Sequence, residues 1–177
     1  VPTNMTTPDL LPLFAKAGKP GQAAEDKEQK SARSAIVAAA VVAAFAPAIE
    51  HQLRSCLKIE CDRARRAAAK GELRHWAGSF FADHHDEVRG RLFPTVEALA
   101  GAVAAATEIR LDVAACVGEI AKAHCEQSRT ALEAINAADL EATLRGWEGA
   151  RAELDAAAHV RRLAVRTEHA LTGTVRT

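Results

Sequence analysis

Apolar residues recur every three to four positions along most of the chain beyond residue 31, a spacing typical of amphipathic helices. The clearest row has members one helical turn apart: Ile49, Leu53, Leu57 and Cys61. Charged neighbours such as Arg54 and Glu60 are expected mostly on other sides of the same helix. No stretch shows the period-two alternation of a β-strand, so the pattern predicts an all-α protein.

Prolines and glycines divide this pattern into elements. Pro47 suits the first turn of a helix, Gly71 suits the end of one, and Pro94 should end one helix and begin the next. A further break is expected near Gly118. The predicted helices therefore cover residues 34–46, 47–70, 72–92, 94–136 and 138–171. The last two are expected to pair as an antiparallel hairpin about residues 136–138.

Three parts are predicted along the chain. Residues 1–31 contain repeated prolines and glycines and a charged cluster, and we expect an extended or flexible lead-in. Residues 32–93 form a first helical part, and residues 94–177 form a long helical hairpin of unassigned role. The expected architecture is a helical bundle or hairpin of long alanine-rich helices.

Composition narrows the function classes. Lys+Arg and Asp+Glu both number 23, which gives a formal net charge of zero and no bulk charge for binding nucleic acid or membrane surfaces. Hydrophobic residues make up 49% but aromatic residues only 4%, because much of the apolar content is alanine. Such helices have thin cores and gain stability by packing against neighbours.

An apolar stretch at residues 35–47 follows Lys30 and Arg33 and resembles a secretory signal in composition. It lies well inside the chain and is shorter than the ~20 residues that a membrane span needs. We therefore expect a buried helix here and no membrane association.

The cysteines are Cys56, Cys61, Cys116 and Cys125. No pair has the C-x-x-C spacing of a zinc or redox site, and residues five apart on a helix point away from each other. We expect free, partly buried thiols in a reducing compartment.

The segment HWAGSFFADHHDEVRGRLFP, residues 75–94, raises the question of a metal site. Adjacent His84 and His85 diverge by about 100° on a helix, so they do not readily chelate one ion. His84 instead continues an aromatic row. The sequence favours a packing or assembly stripe on this helix, whose members are Trp76, Phe80, Phe81, His84, Val88 and Leu92.

One alternative is a ferritin-like, metal-binding helical bundle. Glu72 and His75 form a Glu-x-x-His motif, to which His84 and Glu87 would add ligands. Di-iron bundles need two such motifs, and the sequence has one. A second alternative is a helical adaptor that binds a partner through Trp76, Phe80 and Phe81. Phosphate-binding loops and nucleophile motifs are missing, so we expect no enzyme activity and no cofactor.

Two segments together carry a family resemblance. The first, VPTNMTTPDL at residues 1–10, resembles a V-P-x-N-M-x-P segment. The second runs from Cys61 to Pro94. It combines an R-x-x-R-A helix with the pattern W-x-x-x-F-[YF]-x-x-H-x-x-x-V-x-x-x-L-x-P. Both are similar to the C-terminal region of HK97-type tailed-bacteriophage portal proteins. The resemblance covers about the first half of the chain, and residues after 100 match nothing.

The resemblance implies a structural, non-enzymatic C-terminal element of a portal protein. Such proteins form a homo-oligomeric ring, typically a dodecamer, at the capsid vertex through which DNA is packaged and ejected. DNA would pass without sequence-specific contact, and other partners would be capsid or head-completion proteins. The implied location is the virion, assembled in the bacterial host cytoplasm.

Overall fold

All regular structure in residues 20–175, the part that the computed structural model of the protein describes, is helical. The predicted all-α class is confirmed. The helices are α1 (Pro20–Ala44), α2 (Ala46–Ala69), α3 (Leu73–Thr107), α4 (Val113–Ala134), α5 (Leu140–Gly146), a π-helix (Trp147–Arg151) and α6 (Ala152–Val175).

The bundle has four long rods, which are α1 with α2, α3, α4, and α5 with the π-helix and α6. Helices α1 and α2 follow one another with a turn at Phe45, and both pack against α3 and α6. Helices α3 and α4 form a helical hairpin through a short connection. Helix α4 packs mainly on α3, so the seam between α4 and α6 is the least closed side of the bundle.

The core is built from one face of each rod. Its largest apolar side chains that lack all or nearly all exposure are Ile49, Leu53, Leu57, Leu92, Leu99, Leu132 and Leu144. Alanines and all four cysteines fill the space between them. The cysteines are free, as expected from their spacing. Each buried leucine or isoleucine contributes roughly 1.5–3 kcal/mol of transfer free energy, so these few large residues dominate the apolar stabilisation.

Helix α3 runs straight through Pro94, where the sequence predicted one helix to end and another to begin. Proline removes one helical hydrogen bond, at a cost of about 3 kcal/mol in a helix interior. Leu92, Val96 and Leu99 on the two sides of Pro94 are all fully buried on one face, whereas Pro94 itself is exposed. Burial of that face holds the helix together, and the carbonyl group that the proline leaves unpaired belongs to Gly90, an exposed residue.

The break predicted near Gly118 occurs instead at residues 108–112, and Gly118 lies inside α4. Glu108 ends α3 in the left-handed conformation, with φ of 65°. Asp112 then begins α4, because its side chain accepts a hydrogen bond of 3.0 Å from the backbone N–H of Ala115. Capping chemistry, not a glycine, therefore sets this boundary.

Replacing Asp112 by alanine should lower the free energy of unfolding by about 1 kcal/mol, since the substitution leaves a helical N–H without its acceptor. Urea denaturation followed by circular dichroism measures the change. Glu97→Ala, at an exposed position inside α3, is the control and should shift stability by less than about 0.5 kcal/mol. Equal effects of the two substitutions would contradict the capping role.

The predicted lead-in is too long. Helix α1 begins at Pro20, so residues 20–31 are helical, and residues 1–19 lie outside the described residues. A proline is tolerated in the first turn of a helix, where its missing N–H has no partner in any case. The charged cluster at residues 25–30 is therefore part of a helix.

The apolar stretch of α1 is buried on one side only, which corrects the expectation of a buried helix. Ala38 and Val42 face the core, whereas Ile36 is 70% exposed and Val37 is 42% exposed. Within the described residues, one helical stretch, Glu28–Ala69, is long and apolar enough to cross a membrane. Its most apolar window has a mean hydropathy of 1.9 and is 17% buried. Length and composition alone are weak evidence for a span, because helices of soluble proteins meet the same criterion.

Candidate functional site

A cluster of polar side chains lies at the centre of the bundle, where apolar packing would be expected. We call it the Glu60 network; its members are Glu60, His84, His124, Ser128, Arg151 and Asp155. They come from α2, α3, α4, the π-helix and α6. All are at least nine-tenths buried, so they depend on one another for hydrogen bonds, although His84 Nε2, His124 Nδ1 and Arg151 Nη1 make none within the described residues.

Glu60 is the hub of the network. Its Oε1 atom lies 2.8 Å from His124 Nε2, and its Oε2 atom accepts a 2.7 Å hydrogen bond from Ser128 Oγ. His84 Nε2 is 3.2 Å from the same Oε1 atom, at ion-pair distance. One carboxylate on α2 thus links α3 and α4, although its partners lie far away along the sequence.

Arg151 extends the network to α6. Its Nη2 atom donates 2.8 Å to Ser128 Oγ, and its Nε atom donates 3.1 Å to Asp155 Oδ2. The guanidinium also lies over the Trp147 ring, 4.1 Å from the ring centroid. Arg151 and Trp147 occupy the two ends of the π-helix, inside the region where the sequence predicted one continuous helix. The π-helix therefore coincides with the point where α6 meets the network.

His84 connects the buried hub to the surface. Its Nδ1 atom lies 3.2 Å from Glu87 Oε2, and Glu87 in turn accepts a 2.8 Å hydrogen bond from Arg91. The Glu87 side chain is 43% exposed, whereas that of His84 has no exposure. His84 therefore lies between two carboxylates, Glu60 inside and Glu87 outside.

Electrostatics keep the hub ionised. Burial alone raises the pKa of Glu60. The charge and hydrogen bond of His124, together with the adjacent His84 and the hydrogen bond from Ser128, outweigh that effect and hold the pKa at about 2. Glu60 is therefore a buried anion at neutral pH, stabilised by the donors that surround it.

The arrangement does not match nucleophilic catalysis. In a serine–histidine pair the imidazole takes the proton of the hydroxyl group, whereas Ser128 donates to Glu60 and His124 Nε2 faces the same carboxylate. Glu60, His124 and Ser128 are each 0% exposed. A substrate would reach them only if the helices separated, so the network holds helices in position.

Buried thiols add no reactive group. Burial raises the pKa of Cys56, Cys61 and Cys125 to about 12. Burial also raises the pKa of Cys116, against the opposing effect of Arg166. All four are therefore protonated near neutral pH and behave as small apolar side chains.

The structure places most of the predicted stripe inside the bundle. Phe81, His84, Val88 and Leu92 are buried, and Trp76 and Phe80 are partly buried against the core. The Trp76 and Phe80 rings stack at 4.6 Å, and so do the Phe80 and His84 rings. The face proposed for adaptor binding is thus largely occupied by the protein's own core.

The four residues of the metal alternative do not meet. His84 and Glu87 are in contact, but Glu72, the residue before α3, and His75, in its first turn, are exposed and lie apart from them. Nine residues of helix separate His75 from His84, or about 13 Å along the axis. Among residues 20–175, no group of three or more histidine, cysteine or carboxylate side chains is arranged to hold a metal ion.

Sequence reasoning found His84 but missed the other members of the network. It placed Glu60 away from the apolar row, and that assignment is wrong, because Glu60 is fully buried. A signal did exist: Glu60 lies three residues after Leu57 and four after Cys56, on the inward side of α2. A charged residue on an inward face requires buried partners, and the sequence does not reveal which residues they are.

The basic cluster of α2 and early α3 contains Arg63, Arg65, Arg66, Lys70 and Arg74. One member joins α2 to the segment before α6, since Arg65 bonds Glu141 at 3.1 Å and Glu148 at 2.7 Å. Arg63, Arg66, Lys70 and Arg74 lie on exposed surface.

Comparisons of this chain with protein-family models, with curated proteins and with solved structures give no match.

Proposed function

We propose that this chain is a structural, non-enzymatic element from the C-terminal region of a tailed-bacteriophage portal protein. One observation carries the proposal: the residues of the W-x-x-x-F pattern form the row of α3 that packs against the core. The described members of this row are Trp76, Phe80, Phe81, His84, Val88 and Leu92. All of these side chains pack against the core. We expect such a shared packing role in a structural element, because the shape of the core restricts which residues fit at these positions.

His84 gives this pattern a physical reason. A leucine would fill the same volume, but only a histidine reaches Glu60 on one side and Glu87 on the other. The histidine therefore ties α3 to α2 at a fixed register. A buried polar residue that specifies register is a known use of such groups in helical assemblies.

The R-x-x-R-A part of the pattern also has a packing role. Ala64 and Ala67 are buried and allow close approach of the neighbouring helices, whereas Arg63 and Arg66 lie in solvent. The two parts of the segment at residues 61–94 thus describe adjoining sides of one helix pair, α2 and α3, which pack on each other.

The remaining parts of the proposal follow from the resemblance. The protein would belong to a homo-oligomeric ring in the virion, together with capsid or head-completion proteins. DNA would pass through the ring without sequence-specific contact, and the formal net charge of zero is compatible with sliding.

The test is to produce the product of the whole reading frame that contains this chain, and to measure its mass by light scattering and its shape by negative-stain electron microscopy. We expect closed rings with a central channel. A product that stays monomeric at all concentrations, or one whose remaining sequence encodes a catalytic domain, would overturn the proposal.

A further inference from the structure

One apolar surface of α1 has no partner within the described residues. Ile36 is 70% exposed and Val37 is 42% exposed, and Ala40 and Ala44 continue the same exposed side one and two turns later. We call this surface the α1 ridge. Uncharged residues fill it from Ile36 onward, and Arg33 lies at its N-terminal end.

A groove lies on another side of the bundle, where α4 and α6 diverge. Its volume is about 590 Å³. Alanines line much of it: Ala123, Ala131, Ala134 and Ala158. We call it the α4–α6 groove. Small side chains on both walls leave room for the backbone of a further helix to approach closely.

Polar groups in the groove also lack partners. His159 is 5% exposed and lines the groove, yet it makes no hydrogen bond to any described residue. Arg162 lines the same groove and forms no ion pair within residues 20–175. The groove therefore offers hydrogen-bonding groups as well as small apolar side chains to an occupant.

We propose that the α1 ridge of one copy of this chain packs into the α4–α6 groove of a second copy. This inference deepens the proposed function and rests on it, because it names the contact by which copies assemble. The occupant is a helix, since the groove runs between two rods and its small residues admit another rod in the manner of helix-in-groove recognition.

The two surfaces complement each other in shape and charge. Ile36 and Val37 supply the bulk that the alanine walls lack. Arg33, beside the ridge, matches Glu126, an exposed carboxylate that lines the groove. Glu126 is otherwise engaged only with Lys122, at 4.0 Å and with both side chains exposed, which is a weak interaction.

The placement of the surfaces makes the contact head-to-tail. The ridge belongs to α1, which packs on α3 and α6, whereas the groove opens between α6 and α4. A contact between two different surfaces repeats from copy to copy, and it closes a ring if the rotation allows. We expect each contact to bury less than about 1,200 Å² in total, so an isolated pair should be weak.

Cross-linking between two populations of the full chain tests which surfaces meet. One population carries Ala40→Cys on the ridge, and the other carries Ala134→Cys in the groove; both positions are exposed. The native thiols are buried and should not compete for a bis-maleimide near neutral pH. We expect a covalent dimer when the populations are mixed, and little dimer from either population alone.

Matched substitutions test the energetics. Ile36→Glu should weaken self-association about tenfold or more, measured by sedimentation equilibrium up to about 1 mM chain, because the charge would enter an apolar contact. Phe93→Glu is the control: Phe93 is 42% exposed on α3, which contributes no residue to the ridge or to the groove lining, so association should persist. Ala158→Trp, which fills the groove, should act as Ile36→Glu does.

Several results would overturn the inference. Dimers from the Ala40→Cys population alone would indicate a symmetric ridge-to-ridge contact. A chain that stays monomeric at about 1 mM would exclude a second copy as the occupant, and a groove shielded from maleimide in that monomer would point to the chain's own N-terminal residues. None of these results bears on whether the whole reading frame forms rings, so failure of the contact and failure of the proposed function can be told apart.

Discussion

Replacing Glu60 by alanine should lower the free energy of unfolding by about 3–5 kcal/mol, the range for breaking a buried charged pair. The substitution removes the acceptor of His124 and Ser128 at once and leaves Arg151 beside an unsatisfied hydroxyl. It also opens a cavity between α2, α3 and α4. Thermal and urea unfolding followed by circular dichroism measure the loss.

A second variant, Glu60→Gln, separates the effect of the Glu60 charge from that of its volume, and Glu126→Ala is the control. Glu60→Gln keeps the shape and one acceptor oxygen, so it should cost less, roughly 1–3 kcal/mol. Glu126→Ala removes an exposed carboxylate from α4 and should change stability by less than about 0.5 kcal/mol. If Glu60→Ala were no more harmful than Glu126→Ala, the network would not hold the helices together.

Removing the Glu60 carboxylate should also change how the free energy of unfolding depends on pH at acidic pH. The pKa of Glu60 is about 2 in the folded chain, below its ordinary value of 4.5. The unfolded chain therefore takes up the proton first, and the stability from this group is lost as the pH falls from 4.5 toward 2. Wild-type protein should lose stability in that window more steeply than Glu60→Gln does.

Lowering the pH from 7.5 to 4 should cost roughly 3 kcal/mol through His159 alone. The pKa of His159 is lowered from 6.5 to about 4, chiefly by burial and also by Arg162 and His124, while Asp155 acts in the opposite direction. The unfolded chain binds the proton at higher pH than the folded chain. The stability contributed by neutral His159 is therefore complete above pH 6.5 and disappears toward pH 4. Urea unfolding at a series of pH values measures the slope.

His159→Gln should flatten the slope between pH 6.5 and 4, since glutamine has no proton to gain in that window. Gln127→Ala serves as the control, because it alters the same groove without changing a titrating group and should leave the slope as in the wild type. An unchanged slope in His159→Gln would show that the imidazole is not held neutral by burial.

Much of the fold could be predicted because helix formation is encoded locally. The apolar row of α2, the end of that helix at Gly71 and the inward row of α3 were all readable from spacing and turn chemistry. The errors lay where tertiary packing outweighed local propensity. Burial on both sides of Pro94 carried α3 through a proline, and the left-handed Glu108 ended a helix without a glycine signal.

The site was less predictable than the fold. His84 stood out because it continues an aromatic row, but its partner Glu60 resembled one more surface charge among the arginines and acidic residues of α2. The contact between Glu60 and His124 spans 64 residues of sequence. Nothing local to either residue identifies the other, because their meeting depends on how α2 and α4 cross the core.

The sequence by itself determined that this protein is a set of alanine-rich helices, which residues line their inner faces, and that its cysteines remain free, since these properties depend on spacing within one helix turn or a few. Only the tertiary structure decided that a carboxylate lies at the centre of the bundle, that a π-helix forms where Arg151 joins it, and that α1 keeps an apolar side exposed. The physical reason is that burial and pairing are properties of several helices at once. A side chain's cost or benefit is fixed only when its neighbours from distant parts of the chain are in place.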